Sequence, residues 1–565
     1  MQPPSRKHWI IADKITPEAE KELAAFPPLI RQILFNRKIS DPIQALRYME
    51  GRADAGDPFC LKDMNAVVDR IIFAIDHNEK IAVYGDYDVD GISATALMYE
   101  VLRDLGARVE PYIPNRFDEG YGLNNAALET LADGGARLVL TVDCGVRSLE
   151  EAEYASQMGI DLIISDHHHP GAQLPDAYAV ICPKQPGDEY PDKSLAGVGL
   201  AYKIAEALFA SRTGSAARAQ DWLDLVALGT IADIVPLTGE NRSLVRGGLN
   251  RLRSGQRLGV VSLARAAGIN LSMLTAGDVG FMLAPRLNAA GRIESPQAAF
   301  DLLVSNDIQQ AGLLAQKLDD QNRSRQAQTR EMLKLAEQQL MEAEEEFLIF
   351  TVDSSFNSGV VGLVASRLTE RYHRPAVVGT WMEDEVRASC RSIGGFNITH
   401  ALDECADILV RHGGHAMAAG FTVRGERLEE LRERLMKIAW RELAECDLRP
   451  VVHVDAEVSF EELRPEILSY LNSLQPTGQE NPEAVFCSRN LTIRSAKAVG
   501  DKTHLKLLLT DGKLVFDAIA FHFGHLVDNL PKKVDVAYHF EKNSYNGREA
   551  LQLRVIDIKP GGTVD

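Results

Sequence analysis

A chain of 565 residues is too long for one hydrophobic core and predicts three or four domains, while 45% hydrophobic and 25% charged residues place it among ordinary globular proteins. No apolar run approaches the roughly 20 residues of a membrane helix, and the opening MQPPSRKHWIIADK lacks the apolar stretch of a signal peptide, so a cytoplasmic protein with no membrane partner is expected. A formal charge of −19 excludes indiscriminate coating of nucleic acid, which needs basic residues to displace phosphate counterions, but leaves room for a local basic groove.

Residues 1–62 read as a small helical lead-in punctuated by Pro27, Pro28 and Pro42. From 63 to 270 the pattern is α/β. Three apolar runs there each end in an aspartate-rich turn: IAVYGDYDVDG at 81–91, LVLTVDCG at 138–145 and DLIISDHHHP at 161–170. They alternate with helix-like stretches, which predicts βαβ units whose right-handed crossovers bring the C-terminal ends of parallel strands to one edge, where ligands gather. Asp86, Asp88, Asp90, Asp143 and Asp166 then converge. Two carboxylates about 4 Å apart repel by roughly 4 kcal/mol at an intermediate dielectric, so divalent cations are the natural neutraliser. His167, His168 and His169 add imidazole nitrogens; a mixed carboxylate and imidazole set suits Mn²⁺ well and Mg²⁺ acceptably. An EF-hand loop also opens like Asp86, Asp88, Asp90 and Gly91, but its twelfth position needs Glu and here holds Leu97, and IAVYG before it reads as a strand rather than a helix.

Residues 271–346 form a helical connector, polar from about 307 to 346, with Met332, Leu335, Leu340 and Met341 as a narrow apolar stripe; this predicts a solvated helix rather than a coiled-coil site. A second α/β region spans 347–447. Residues 448–565 contain five strand-like runs near 491–498, 504–510, 514–521, 534–541 and 550–556, with Asn546-Gly547 marking a tight turn between the last two. Five short strands suggest an OB-like β-barrel. From Val485 onward there are 12 Lys and Arg against 9 Asp and Glu, a basic balance in an acidic chain. Phe521, Phe523, Tyr538, Phe540 and Tyr545 are base-stacking candidates, some of which must be core. The seven cysteines, Cys60, Cys144, Cys182, Cys390, Cys405, Cys446 and Cys487, include no C-x-x-C pair and read as buried thiols in a reducing compartment.

DYDVDG, VDCG and DHH, followed by LDLVALGTIADIVPL around Asp233, resemble the DHH phosphoesterase superfamily. LAGVGLAYK at 195–203, APRLNAAGR at 284–292, GVVGLVASR at 359–367, GGHAMAAGF at 413–421 and LQPTGQENPEAVF at 474–486 are similar to the bacterial RecJ exonuclease family within it. The resemblance implies an α/β fold comprising a DHH-type parallel-sheet catalytic domain (63–270), the connector, a DHH-associated substrate-binding domain (347–447) and an OB-fold nucleic-acid-binding domain (448–565). It implies a single-stranded-DNA-specific 5′ to 3′ exonuclease of DNA repair and recombination, working with two Mn²⁺ or Mg²⁺ ions. Such a pair activates a water and stabilises the leaving oxygen without a side-chain nucleophile. Carried over residue by residue, Asp88, Asp90, Asp143, His167 and Asp233 are the implied metal ligands, with Asp143 bridging and Asp86 and His168 lining the catalytic site. Single-stranded DNA, a single-strand-binding protein and a RecQ-type helicase are the implied partners.

Arg116, Arg286, Arg292, Ser389 and Arg391 offer guanidinium forks and a hydroxyl suited to phosphate oxygens, against the plainer alternative of solvated arginines. His415 in GGHAMAAGF is implied as a further phosphate donor, the alternative being a packing histidine in a tight turn. The family's usual Trp-His before GVVG is replaced here by Phe356 and Asn357. Two rival readings stand beside the exonuclease: a DHH phosphodiesterase of short oligonucleotides or cyclic dinucleotides, and a non-catalytic single-strand-binding replication scaffold.

Overall fold

The structure is a computed structural model that describes residues 7–53, 55–115, 122–341, 347–545 and 548–562. It divides into a unit of residues 41–322 with 470–483, and a unit of residues 1–40, 323–469 and 484–565. The lead-in expected as one helical segment is therefore shared between units. It also opens on a strand, β1 (His8–Ile11), which pairs in parallel with residues 451–454. Trp9 explains the pairing: its ring is buried among Val452, Val454, Cys487 and Ala537, and its indole N–H donates to Asp557 Oδ2 at 2.7 Å. A four-residue strand next to prolines leaves no periodic signal to read.

In the first unit, β2 (Lys80–Gly85), β3 (Arg108–Tyr112), β4 (Ala136–Val142), β5 (Asp161–Ser165) and β6 (Ala179–Ile181) form a five-stranded sheet in the order β3-β2-β4-β5-β6. Every pairing is parallel. The three apolar runs are thus the neighbours β2, β4 and β5, buried on both faces as a parallel sheet requires. The helices Val89–Asp104, Gly197–Thr213 and Leu223–Ala232 contribute to one core. Residues 122–164 supply much of the other. The strand before DYDVDG removes the EF-hand reading.

In the second unit, β7 (Ile349–Val352), β8 (Ala376–Met382), β9 (Glu385–Arg391), β10 (Leu409–His415) and β11 (Ala418–Arg424) form a mixed sheet in the order β10-β11-β9-β8-β7. The connector helix Ile308–Met341 differs from the solvated expectation: Met332, Ala336 and Leu340 are buried against the helix Val361–Tyr372 and strands β7 and β8, while Leu335 stays half-exposed. Phe356 joins that same core, and Asn357 Oδ1 accepts from Gly359 N at 2.8 Å, so the two residues that replace Trp-His have structural roles. After β12 (Val451–Val454) and β13 (Ala456–Glu457) comes the barrel, made of β14 (Phe486–Val499), β15 (His504–Thr510), β16 (Val515–Ala520), β17 (Lys533–Tyr545) and β18 (Arg548–Pro560). The order β14-β15-β16-β18-β17 closes through a β14–β17 pairing, with β16–β18 parallel, as in an OB fold. The Asn546-Gly547 turn and Arg116 lie outside the described residues. All seven cysteines are free thiols, but Cys60 and Cys446 are exposed rather than buried.

Candidate metal centre

The turn after β2 places the first carboxylates. Asp88 caps the helix Val89–Asp104, its Oδ1 accepting from Asp90 N at 2.9 Å and Gly91 N at 3.1 Å. Asp90, in the first helical turn, is almost fully buried. Its two oxygens accept from Gly197 N at 2.7 Å and Val198 N at 2.9 Å, the N-terminus of the helix Gly197–Thr213. A helix N-terminus favours negative charge, which gives the LAGVG motif a role that its apolar sequence did not disclose. Asn288 of APRLNAAGR accepts from Val89 N at 3.2 Å, bracing the same turn.

The ends of β4 and β5 supply the rest. Asp143 follows β4 with φ +66°, a left-handed conformation that aspartate tolerates better than most residues. His167 Nε2 lies 3.1 Å from Asp143 Oδ1, 3.5 Å from Asp233 Oδ2 and 4.0 Å from Asp90 Oδ2. Asp233 arrives from elsewhere, at the C-terminus of the helix Leu223–Ala232. Among the described residues, ligand atoms within 4.8 Å of one another define three groups: Asp86 with Asp88 and Asp143, Asp90 with His167 and Asp233, and Asp143 with His167 and His168, the last sharing a member with each of the others. Asp166, expected among them, is committed elsewhere. Its Oδ2 accepts from Val146 N at 2.9 Å, and its Oδ1 accepts from the backbone N (3.0 Å) and Nδ1 (2.7 Å) of His168.

Burial, together with the neighbouring carboxylates, holds Asp90 and Asp143 well above the usual carboxylate range. Burial, then Asp88, pushes Asp233 up to about 7. His167 is held down to about 3, first by burial and then by the charge of His168, so it is a neutral imidazole and its short contacts to carboxylates are not ion pairs. His168 is raised: burial opposes protonation, but the bond to Asp166 outweighs it. Among the described residues, Asp143 Oδ1 and both ring nitrogens of His167 are buried without a hydrogen-bond partner. Buried polar atoms are rarely left so. Several carboxylates and a neutral imidazole with orphaned lone pairs fit a divalent cation of the Mn²⁺ or Mg²⁺ type, because a cation removes the mutual repulsion and satisfies those atoms together.

The expected phosphate-holding residues fall in different places. Arg286 is drawn inward: Nε donates to buried Asp319 at 2.9 Å and a terminal nitrogen to the Met282 carbonyl at 2.6 Å, so most of its fork is occupied within the protein. Arg292 is half-buried near the end of the helix Ala284–Ile293. Ser389, Arg391 and His415 share one face of the second unit's sheet. Antiparallel register aligns His415 with Ala418 and Arg391 in one row, and Gly413 with Gly420 and Ser389 in the next. The next row carries Arg411, Thr422 and Arg387, the two arginines exposed. The opposite face, with Cys390, Ala419 and Phe421, is core. Of the barrel aromatics, Tyr538 and Phe540 are core, Phe523 is half-buried, and Phe521 is 47% exposed with its ring edge-to-face with His504. The Tyr545 side chain lies outside the described residues.

Known proteins place this arrangement. The DHH family N-terminal domain matches residues 80–230, the DHHA1 domain residues 344–441 and the RecJ OB domain residues 454–557. The single-stranded-DNA-specific exonuclease RecJ of Bacillus subtilis is 39% identical over 98% of this chain and 71% of its own length. The enzyme of that name from Escherichia coli is 33% identical over 95% of this chain and 96% of its own. The crystal structure of RecJ in complex with Mn²⁺ from Thermus thermophilus aligns with a TM-score of 0.86 at 28% identity, covering 99% of this chain and 80% of that one. With its DHH, DHHA1 and OB segments in that order and such identity along nearly its whole length, the chain belongs to the RecJ family of the DHH phosphoesterases.

Proposed function

We propose that this protein is a metal-dependent, single-stranded-DNA-specific exonuclease that hydrolyses phosphodiester bonds from the 5′ end in DNA repair and recombination. The observation that carries the reading is the convergence of Asp86, Asp88, Asp90, Asp143, His167 and Asp233 on one sheet edge, with orphaned donor atoms among them, in a member of the RecJ family. Asp88, Asp90, Asp143, His167 and Asp233 would hold two Mn²⁺ or Mg²⁺ ions; Asp143 and His167 are each common to two of the ligand groups, and of the two only the Asp143 carboxylate has two oxygens to share, which suits it to bridge. Bound ions supply Lewis-acid activation of water and neutralise charge on the phosphodiester.

The chain's own residues do the rest. Asp86 adds charge beside Asp88 and Asp143. His168, whose protonated form the bond to Asp166 favours, stands beside Asp143 and His167, where it can offer a proton and positive charge to the phosphate. Ser389, Arg391 and His415, in neighbouring rows of one sheet face with Gly413, Ala418 and Gly420 between them, hold substrate phosphates, with Arg292 and Arg116 as further contacts and Arg286 as a brace. The basic balance of the barrel supports it as the single-strand-binding domain. Family membership supports a cytoplasmic enzyme whose partners are a single-strand-binding protein and a RecQ-type helicase. Among the described residues, no helix is long and apolar enough to cross a membrane.

The test is digestion of 5′-labelled and 3′-labelled single strands and matching duplexes with Mn²⁺. Early release of the 5′ label from single strands alone is expected, and Asp143→Asn should abolish it, since an amide cannot supply the charge that holds two cations. Release from the 3′ end first, equal attack on duplexes, cleavage confined to very short oligonucleotides, or wild-type activity in Asp143→Asn would each overturn the reading.

A further inference from the structure

The stretch LQPTGQENP at 474–482 takes no part in the site described above, yet by packing residues 470–483 belong to the unit that contains it. Asn481, 1% exposed, closes the stretch into a loop: its amide donates to the carbonyls of Leu474 at 3.1 Å and Pro476 at 2.7 Å, and its Oδ1 accepts from the Tyr48 hydroxyl at 2.6 Å. Buried Arg242 lies 4.0 Å from the centre of the Tyr48 ring and donates to the carbonyls of Ser473, Leu474 and Gln475 at 2.9, 3.2 and 3.2 Å. A buried guanidinium with this many acceptors is a rigid anchor.

The loop is tied in turn to the segment that follows Asp233. Leu237 N donates to the Gln479 carbonyl at 2.8 Å, and Gly478 lies so close that a Cβ there would be 2.7 Å from Leu237 Cδ1. Asn241, fully buried, donates to the Pro236 carbonyl at 3.1 Å and the Ser194 carbonyl at 2.6 Å, the latter three residues before the Gly197 whose N–H holds Asp90. Between these anchors and Asp233, Ile234 has φ +62°, an unfavourable conformation for a β-branched residue, and its side chain is 69% exposed, so burial of that side chain does not hold the turn.

We propose that residues 474–481 form a clamp that positions Asp233, with Asn481 as the positioning residue and Tyr48 and Arg242 bracing it. The proposal rests on the reading of Asp233 as a metal ligand. Among the ligand candidates, Asp233 reaches the site from a helix C-terminus rather than from a strand end, through a turn in a strained conformation. Releasing Leu237 lets the Ile234 turn relax and moves the Asp233 carboxylate away from His167, its neighbour at 3.5 Å. Hydrogen-bonded supports of this kind set ligand geometry as firmly as the ligands themselves.

The experiment is calorimetric titration of the full-length protein with Mn²⁺, together with the Mn²⁺ dependence of nuclease activity, for wild type, Asp233→Asn, Asn481→Ala, Tyr48→Phe and Gly478→Ala. Asp233→Asn should weaken one of two bound ions. Asn481→Ala should weaken that same ion about 10–100-fold, the effect expected of an outer support, and raise the half-saturating Mn²⁺ to match while turnover at saturating Mn²⁺ recovers. Tyr48→Phe and Gly478→Ala should shift both readouts in the same direction, and they carry the test if Asn481→Ala does not fold. Variants that melt at lower temperature with an unchanged Mn²⁺ isotherm make the loop merely structural and overturn the clamp. If Asp233→Asn itself leaves the isotherm unchanged, the reading of Asp233 as a ligand falls instead, and the clamp with it.

Discussion

Gly197 and Asp143 are packed so closely that a Cβ on the glycine would stand 2.6 Å from the aspartate's own Cβ. The same Gly197 donates its backbone N–H to Asp90 at 2.7 Å, so a helix N-terminus is wedged between two acidic side chains. Gly197→Ala should therefore displace Asp143 or lift the helix from Asp90. Overpacking of this kind costs about 1–3 kcal/mol. We expect a folded protein with a lowered melting temperature and nuclease activity reduced far more than the stability loss explains; calorimetric Mn²⁺ titration should show weakened binding. Unchanged Mn²⁺ binding would mean the wedge does not set the site.

Arg391 lies in the same sheet row as Ala418 and His415, beside the row of Ser389, Gly420 and Gly413. Arg391→Ala should weaken the preference for a phosphorylated over an unphosphorylated 5′ end by roughly 1.5–3 kcal/mol, the worth of a charge-assisted hydrogen bond. Competition between the two substrates gives the ratio directly. A preference identical to wild type removes Arg391 from the phosphate contact.

Phe521 is the exposed ring among the barrel's described aromatic candidates, with His504 against its edge. Phe521→Ala should lower affinity for long single strands by about 1–3 kcal/mol, the value of one stacked base, and leave cleavage of very short oligonucleotides unaltered. The salt dependence of binding should stay the same, because no phosphate contact is lost. Filter binding at several salt concentrations separates the two terms; a changed salt slope with unchanged affinity would contradict the stacking role.

The metal ligands also fix a pH dependence. Burial and like-charge neighbours raise Asp90 and Asp143 and push Asp233 up to about 7, so the metal-free site retains protons near neutrality that a free carboxylate would have lost. A cation binds the deprotonated form and must displace them. Mn²⁺ affinity should therefore tighten as pH rises through about 7, with protons released on binding. The sign for stability is opposite: groups whose native values are raised favour the metal-free fold most at low pH and lose that contribution as pH rises, so the gain in melting temperature on adding Mn²⁺ should be larger at pH 8 than at pH 6. Calorimetry in buffers of different ionisation enthalpy counts the protons, and a pH-independent affinity would show that the carboxylates are already ionised.

The sequence by itself determined what local pattern encodes. Apolar runs ending in aspartates became β2, β4 and β5, and the five strand-like runs became the five strands of the closed barrel. These features depend on residues a few positions apart, where the alternation of apolar runs and turns is visible along the chain. Tertiary structure decided which groups meet across long separations. Asp166 looked like the other strand-end aspartates, but the turn after β5 gave its oxygens to His168 and Val146. Gly197 reaches Asp90 from 107 residues away, and Asn481 reaches Tyr48 from 433. Arg286 turned inward because buried Asp319, on the connector helix, needed a partner, and β1 was settled by Trp9 finding Asp557 across nearly the whole chain. A hydrogen bond of that kind leaves no periodicity in the sequence; it exists only once the crossovers and cores have fixed where each backbone passes.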